Sequence, residues 1–283
     1  RIPEISDEIY RVDDAMKAGF GWEIGAFESW DALGLVKTTE AMKEKGYLVA
    51  PWVNEMLAKG FTHFYKIENG KRMCYDPATG TYKTIPGAEA FIVMKNYSDK
   101  TIWKNSACRT YHLGDDVLGL EWYTKMGSIG GEVLEGIQKS VSVAEEKYKG
   151  LVIANEGANF SAGANVGMIF MLALEQDYDE IDMAIRLFQN TMMRVRYSGI
   201  PVVVAPHGLA LGGGCELSMH ADKVIAAAET YTGLVEAGIG VIPGGGGTKE
   251  FVLRASDEVQ PGEPETISLQ NRFLTIATAK VAT

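Results

Sequence analysis

The sequence predicts a layered α/β protein preceded by a smaller, mainly helical segment that carries a β-hairpin. Three observations predict it. Apolar residues recur at helical spacing across residues 133–148 and again across 181–195. Between and after these stripes lie continuous apolar runs, Leu151-Val152-Ile153-Ala154 and Pro201-Val202-Val203-Val204-Ala205, of the kind found in strands buried on both faces. Nearer the start, residues 64–67 and 71–75 flank Asn69-Gly70, a pair suited to the positive φ angles of a tight hairpin turn. Helices alternating with buried strands pack as a sheet with right-handed crossovers.

The elements follow in order. Residues 5–16 place Ile5, Ile9, Tyr10 and Val12 on one helical face among acids. Residues 22–35 are rich in aromatic and apolar side chains and break at Gly34. Thr39 is placed as the cap of a helix over 40–45 that stops at Gly46, and Pro51 as the start of a helix over 52–58 that ends at Gly60. After the hairpin, Asp76-Pro77-Ala78-Thr79-Gly80 is a turn cluster. A boundary near Pro86-Gly87 gives domains 1–88 and 89–283. Beyond it, 110–113 and 117–122 read as strands joined by Gly114-Asp115-Asp116. Val133, Leu134, Ile137, Val141, Ala144 and Tyr148 form the first helical stripe, and Ile181, Ile185, Phe188, Met192 and Val195 the second. Residues 223–227 are placed as a third buried strand.

Composition bounds the function. With 46% hydrophobic and 23% charged residues, the chain is globular rather than disordered. Lys and Arg total 27 against 37 Asp and Glu, a net charge of −10, which argues against a general nucleic-acid surface. Cys74, Cys108 and Cys215 are odd in number and far apart, which fits a reducing, cytoplasmic setting rather than a disulfide framework. His63, His112, His207 and His220 show no metal-binding spacing, so no metal is expected. There is no apolar run of about 18 residues and no signal-peptide core. The chain starts without Met, as a fragment or a processed chain would.

Three glycine-rich segments each follow a predicted strand: residues 159–165, 207–216 and 231–247. Such loops are where α/β sheets bind ligands. Gly212-Gly213-Gly214 leads into a short helical segment, 215–220, whose amides suit a negatively charged oxygen. Glu216 lies in its first turn, and Glu236 sits in the apolar, glycine-rich stretch 234–240. Two carboxylates beside an oxyanion hole suit acid–base chemistry next to a thioester carbonyl. Taken singly, each has a plainer reading: the glycines as turns, Glu216 as a favourable helix-start acid, Glu236 as a solvated loop acid. Cys215 reads as a small buried thiol, and His207 and His220 as structural polar residues. Ser161 is not in a nucleophile elbow, and the glycines match neither a dinucleotide nor a P-loop motif.

Together, Phe160-Ser161-Ala162-Gly163-Ala164-Asn165, Gly208-Leu209-Ala210-Leu211-Gly212-Gly213-Gly214-Cys215-Glu216-Leu217, and Glu236 with Gly240-Val241-Ile242-Pro243-Gly244-Gly245-Gly246-Gly247-Thr248 resemble the crotonase (enoyl-CoA hydratase/isomerase) family. The resemblance implies a crotonase-like layered sheet-and-helix domain acting on an acyl-CoA thioester. It implies that the Ala164 and Gly213 amides bind the thioester oxygen, that Glu216 activates water for attack at the β-carbon, and that Glu236 exchanges the α-carbon proton. Ala162, Gly163, Asn165, Gly212 and Gly240 would line the substrate; Asn165 stands where aspartate is commonest in the family.

Residues 19–31, Gly19-Phe20-Gly21-Trp22-Glu23-Ile24-Gly25-Ala26-Phe27-Glu28-Ser29-Trp30-Asp31, resemble the C-terminal helical domain of 3-hydroxyacyl-CoA dehydrogenases, with Gly-Ala-Phe in place of the usual Gly-Pro-Phe. The two resemblances cover nearly the whole chain and imply a piece of a bacterial fatty-acid β-oxidation fusion protein. They imply hydration of trans-2-enoyl-CoA with no cofactor beyond the substrate's own CoA. NAD is expected only for a dehydrogenase domain outside this chain. The crotonase resemblance further implies C-terminal helices beyond residue 283, an apolar patch where they would pack, and homo-oligomers. Δ3-Δ2-enoyl-CoA isomerisation through Glu236 and a non-catalytic acyl-CoA-binding fragment are the rival expectations.

Overall fold

The computed structural model describes residues 2–283, apart from the Glu89 side chain; Arg1, the first residue of the expected 1–88 domain, lies outside the described residues. Contacts divide the chain into two compact units, Arg1–Asn96 and Tyr97–Thr283.

The first unit opens with helices α1 (Ile9–Phe20), α2 (Ala26–Leu33), α3 (Leu35–Glu44) and α4 (Pro51–Ala58). The helix expected over 5–16 instead starts at Ile9 and runs to Phe20, where Gly21 turns left-handed at φ 67°. Ile5, assigned to its apolar face, is 69% exposed. Thr39 does not cap a helix. It lies buried inside α3, whose start is set by the turn at Gly34. Pro51 begins α4, as its fixed φ favours.

The hairpin forms as expected: β1 (Tyr65–Glu68) pairs antiparallel with β2 (Lys71–Asp76), with Asn69 and Gly70 both at positive φ. A third strand, β3 (Thr81–Thr84), extends it on the other side of β2. Ile9, Leu35, Val53, Met56, Phe64 and Cys74 form the core. The buried Asp13 carboxylate accepts hydrogen bonds from the Phe27 and Glu28 amides, satisfying donors at the start of α2. Asp31 does the same for the amides of Phe64 and Tyr65.

The second unit is the layered α/β domain. Its strands are β4 (Thr101–Lys104), β5 (Cys108–Gly114), β6 (Val117–Trp122), β7 (Gly150–Ala154), β8 (Val202–Ala205), β9 (Gly208–Leu211), β10 (Lys223–Val224) and β11 (Thr230–Gly233). Its helices are α5 (Gly131–Lys147), α6 (Val166–Leu174), α7 (Tyr178–Arg196), α8 (Gly213–His220), α9 (Gly247–Asp257) and α10 (Thr266–Ala277). The main sheet has the order β10-β8-β7-β6-β5-β4. It is antiparallel from β4 to β6 and parallel from β6 through β10.

The β5–β6 turn uses Gly114, Asp115 and Asp116, all at positive φ. Leu151, Ile153, Val202 and Val204 are buried against α5 and α7 residues such as Val133, Ile137 and Met192. Each such side chain contributes roughly 1.5–3 kcal/mol. The strand expected over 223–227 is corrected: β10 is two residues long and lies at the sheet edge, with one neighbour, and its burial pattern is exposed throughout. Ile225 beyond it is 62% exposed. α6 is apolar almost throughout, yet Met168, Phe170, Met171 and Leu174 are exposed, so this helix presents an apolar surface.

Candidate active site

The site is built where β9 gives way to α8. Gly212 makes that turn at φ 52°, ψ −120°, a conformation that a side chain opposes. Its N–H donates to the Gly233 carbonyl at the end of β11 (2.9 Å), and its own carbonyl accepts from the Glu216 amide (2.9 Å). Gly213 is the first residue of α8, so its N–H has no acceptor within the helix.

The segment before α6 faces this turn. Ser161 docks on β9: its N–H donates to Leu209 (2.8 Å), and its carbonyl accepts from Leu211 (2.9 Å). Gly163 donates to the Ser161 hydroxyl (3.0 Å), and its carbonyl accepts from Ile129 (2.9 Å). A Cβ placed on Gly163 would stand 3.3 Å from the Gly213 nitrogen and 3.6 Å from Gly212 Cα, so the two backbones nearly touch. Ala164, next in the chain, is half-buried and bridges to Ile129. Two stretches of backbone from distant parts of the sequence therefore meet at Gly163–Ala164 and Gly212–Gly213.

The carboxylates stand beside this meeting point. Glu216 is 2% exposed. Its Oε1 accepts from the amides of Gly245 (2.8 Å) and Gly247 (2.9 Å). Burial pushes its carboxyl up to about 7; the Gly247 amide opposes this, the Glu236 charge adds to it, and the Gly245 amide opposes it. Gly245 must be small, because a Cβ there would collide with Glu216 Oε2 and lie 2.6 Å from the Phe188 ring. Glu236 begins a 3-10 turn, Glu236–Ile239. Its Oε1 lies 3.0 Å from where a Gly212 Cβ would be, and its Oε2 is buried without a hydrogen-bond partner among the described residues. Burial raises its pKa.

Gly163, Gly212, Gly213, Glu216 and Glu236 are thus brought together, with Ala164 adjoining. Asn165 and Gly240 each hold local structure. The Asn165 side chain caps α6 by accepting from the Met168 amide (3.2 Å). Gly240 closes the turn after Glu236 at φ 84°, with open space where a side chain would be. The Ala162 amide donates to Met126 (3.0 Å). Reasoning from sequence missed the Gly245 and Gly247 amides as donors to Glu216, and Phe188 as the wall beside Gly213 and Gly245. The four glycines at 244–247 were the available signal, but nothing local aims them at Glu216.

His207 Nε2 donates to the Gly157 carbonyl (2.6 Å), a structural contact. Cys215 is buried, and burial pushes its thiol up to about 11. Among the described residues no group of three or more His, Cys, Asp or Glu is placed to hold a metal ion. No helix among them is long and apolar enough to cross a membrane.

The layered sheet-and-helix fold that carries these turns and carboxyls is crotonase-like. Residues 121–256 match the family model "Enoyl-CoA hydratase/isomerase". The chain is 43% identical over 281 residues to a Bacillus subtilis protein named "Probable 3-hydroxyacyl-CoA dehydrogenase", covering 99% of this chain and 35% of that protein. It is 30% identical over 257 residues to a "Putative fatty acid oxidation complex trifunctional enzyme" of Rickettsia felis, covering 91% of this chain and 33% of that one. The chain therefore spans about a third of the length of these relatives. A solved enoyl-CoA hydratase from Bacillus anthracis superposes with a TM-score of 0.52 at 25% identity, covering 62% of this chain and 64% of that one.

Proposed function

We propose that the second unit hydrates trans-2-enoyl-CoA to 3-hydroxyacyl-CoA. The observation that carries this reading is the carboxylate pair: Glu216, held by two amides with its carboxyl at about 7, next to Glu236 with a buried oxygen that has no partner among the described residues. A group at about 7 is poised to take a proton near neutral pH.

In the proposed reaction the thioester oxygen lies against the N–H groups of Ala164 and Gly213. They stabilise the negative charge that develops there as water adds. Glu216 removes a proton from the water, whose oxygen forms a bond to the β-carbon. The electron pair of the C=C bond moves toward the thioester, and Glu236 delivers a proton to the α-carbon. One water is added across the double bond, and the two carboxyls, being neighbours, restore their protons by exchange. CoA is part of the substrate, and no other cofactor enters. The free, buried Cys74, Cys108 and Cys215 are in keeping with a reducing cytoplasm.

A second reading is Δ3-Δ2 isomerisation through Glu236 alone. It is favoured by the unpartnered Glu236 oxygen, whereas Glu216 Oε1 is already engaged by two amides. For the first unit, the 43% identity to the Bacillus subtilis dehydrogenase supports a helical domain of that enzyme class, covering residues 1–88 in our assignment with the crotonase-like domain over 89–283. The test is product analysis by mass spectrometry with 2-enoyl- and 3-enoyl-CoA. A product heavier by one water supports hydration. Interconversion of the two substrates without water gain supports the isomerase. Tight binding with neither leaves an acyl-CoA-binding unit.

A further inference from the structure

Directly behind the catalytic pair lie two buried titratable groups that the reaction does not use. His220, the last residue of α8, has a fully buried ring, and Glu250, in the first turn of α9, is 1% exposed. His220 Nδ1 is 2.7 Å from the Glu216 carbonyl. A carbonyl only accepts, so Nδ1 carries the proton. Its Nε2 is 3.3 Å from the Lys249 ammonium, which only donates, so Nε2 is bare. The neutral tautomer satisfies both contacts, and a protonated ring would turn an N–H toward an ammonium. Burial keeps the imidazole below its usual range; the Glu216 carbonyl and Glu250 oppose this, while Lys249 and Arg196 add to it.

The ring also supports the glycine turn. Gly246 sits on it at φ 111°, where a Cβ would lie 3.0 Å from His220 Cε1. The Gly246 carbonyl accepts from the Glu250 amide (3.0 Å). The Glu250 carboxylate is fixed by Arg196 from the end of α7 (2.8 Å) and by Lys249 (2.8 Å), with His220 Nε2 at 3.5 Å and Arg254 at 3.9 Å. The residues on either side of Gly246 are the two whose amides hold Glu216. The contacts close a ring: Glu216 carboxylate, glycine turn, Glu250 and its cations, His220, Glu216 carbonyl.

We propose that His220 and Glu250 are positioning residues that clamp the turn Gly245–Gly247 so that two of its N–H groups meet the Glu216 carboxylate. The consequence for rate rests on the reading of Glu216 as the base that activates water; the clamp itself does not. The amides are what oppose burial at Glu216, so loosening the turn makes that carboxyl harder to ionise.

The test is a carbon-13 NMR titration of the glutamate side-chain carboxyls in the full chain, with the Glu216 resonance assigned by its loss in Glu216→Gln. The wild type is expected to titrate there near 7. His220→Leu, which removes both ring contacts, moves that titration upward by about one pH unit or more. His220→Asn, which keeps an N–H near the position of Nδ1 but not the ring beneath Gly246, moves it less than His220→Leu does. Glu250→Gln, which keeps the shape but loses the charge held by Arg196 and Lys249, moves it in the same direction as His220→Leu, and it decides the matter if His220→Leu does not fold. An unmoved Glu216 titration in folded His220→Leu or Glu250→Gln overturns the clamp, as does a His220→Asn variant disturbed as much as His220→Leu. The titration needs no turnover. Shifts in a chain that hydrates nothing keep the clamp and discard the proposed reaction, and hydration through Glu216 with unmoved titrations does the reverse.

Discussion

Replacing Glu216 by glutamine keeps an oxygen for the Gly245 and Gly247 amides but removes a buried titrating group. In the folded chain that carboxyl holds its proton up to about 7, against an ordinary 4.5. Between those values the folded state binds more protons than the unfolded one, so stability falls as pH rises. The favourable term is fully present below about 4.5 and is lost as pH passes through about 7. At about 1.4 kcal/mol per pH unit, the separation is worth about 3 kcal/mol. Wild type and Glu216→Gln, unfolded in urea side by side from about pH 4 to about pH 8.5, should therefore diverge. The stability of wild type relative to the variant is expected to fall by about 3 kcal/mol across that range. Distant titrating groups cancel in the comparison. A difference that does not change with pH would refute the reasoning, because it would mean that Glu216 ionises in the folded chain as it does in the unfolded one.

Other outcomes follow from the same site. Gly212→Ala forces a side chain into φ 52° and toward Glu236 Oε1, 3.0 Å away; we expect a stability loss of about 1–3 kcal/mol by denaturation and a rate lower by about 10²–10³, because the Gly213 donor moves. kcat/KM for hydration should climb with pH toward about 7 as Glu216 ionises; a profile flat through neutrality would contradict its role as the base. Burial pushes Cys74 and Cys215 up to about 11 and Cys108 up to about 12, so at pH 8 only about one thiol in a thousand or fewer is thiolate. Mass spectrometry should find the folded chain resistant to iodoacetamide and all three cysteines labelled after denaturation.

The elements that reasoning from sequence anticipated are those whose cause is local. Asn69-Gly70 specifies its own turn, and the stripe over α5 states which face that helix buries; in α7 only Phe188, Met192 and Val195 of the stripe are buried, while Ile185 is exposed. Errors arose where a local pattern was overruled by position. The apolar run at 223–227 resembles the buried strands, but it lies at the sheet edge and stays exposed. Thr39 has the chemistry of a cap, yet α3 already begins after Gly34. The candidate site was visible as three glycine-rich segments and two glutamates, and the roles came from the family resemblance. Its supports were not visible. The amides that hold Glu216 lie 29 and 31 residues further on, and Arg196 and Glu250 meet across 54 residues. No spacing rule on one strand or helix encodes such contacts; they exist only once α7, α8 and α9 have packed.

The most direct test of the central claim is the rate of crotonyl-CoA hydration, followed as loss of the conjugated enoyl absorbance, in wild type, Glu216→Gln and Glu236→Gln, with folding of each checked by circular dichroism. The account predicts turnover in wild type and the loss of most of it in each variant, with the fold intact. Full hydration retained in either folded variant would contradict the assignment of the two glutamates as base and acid.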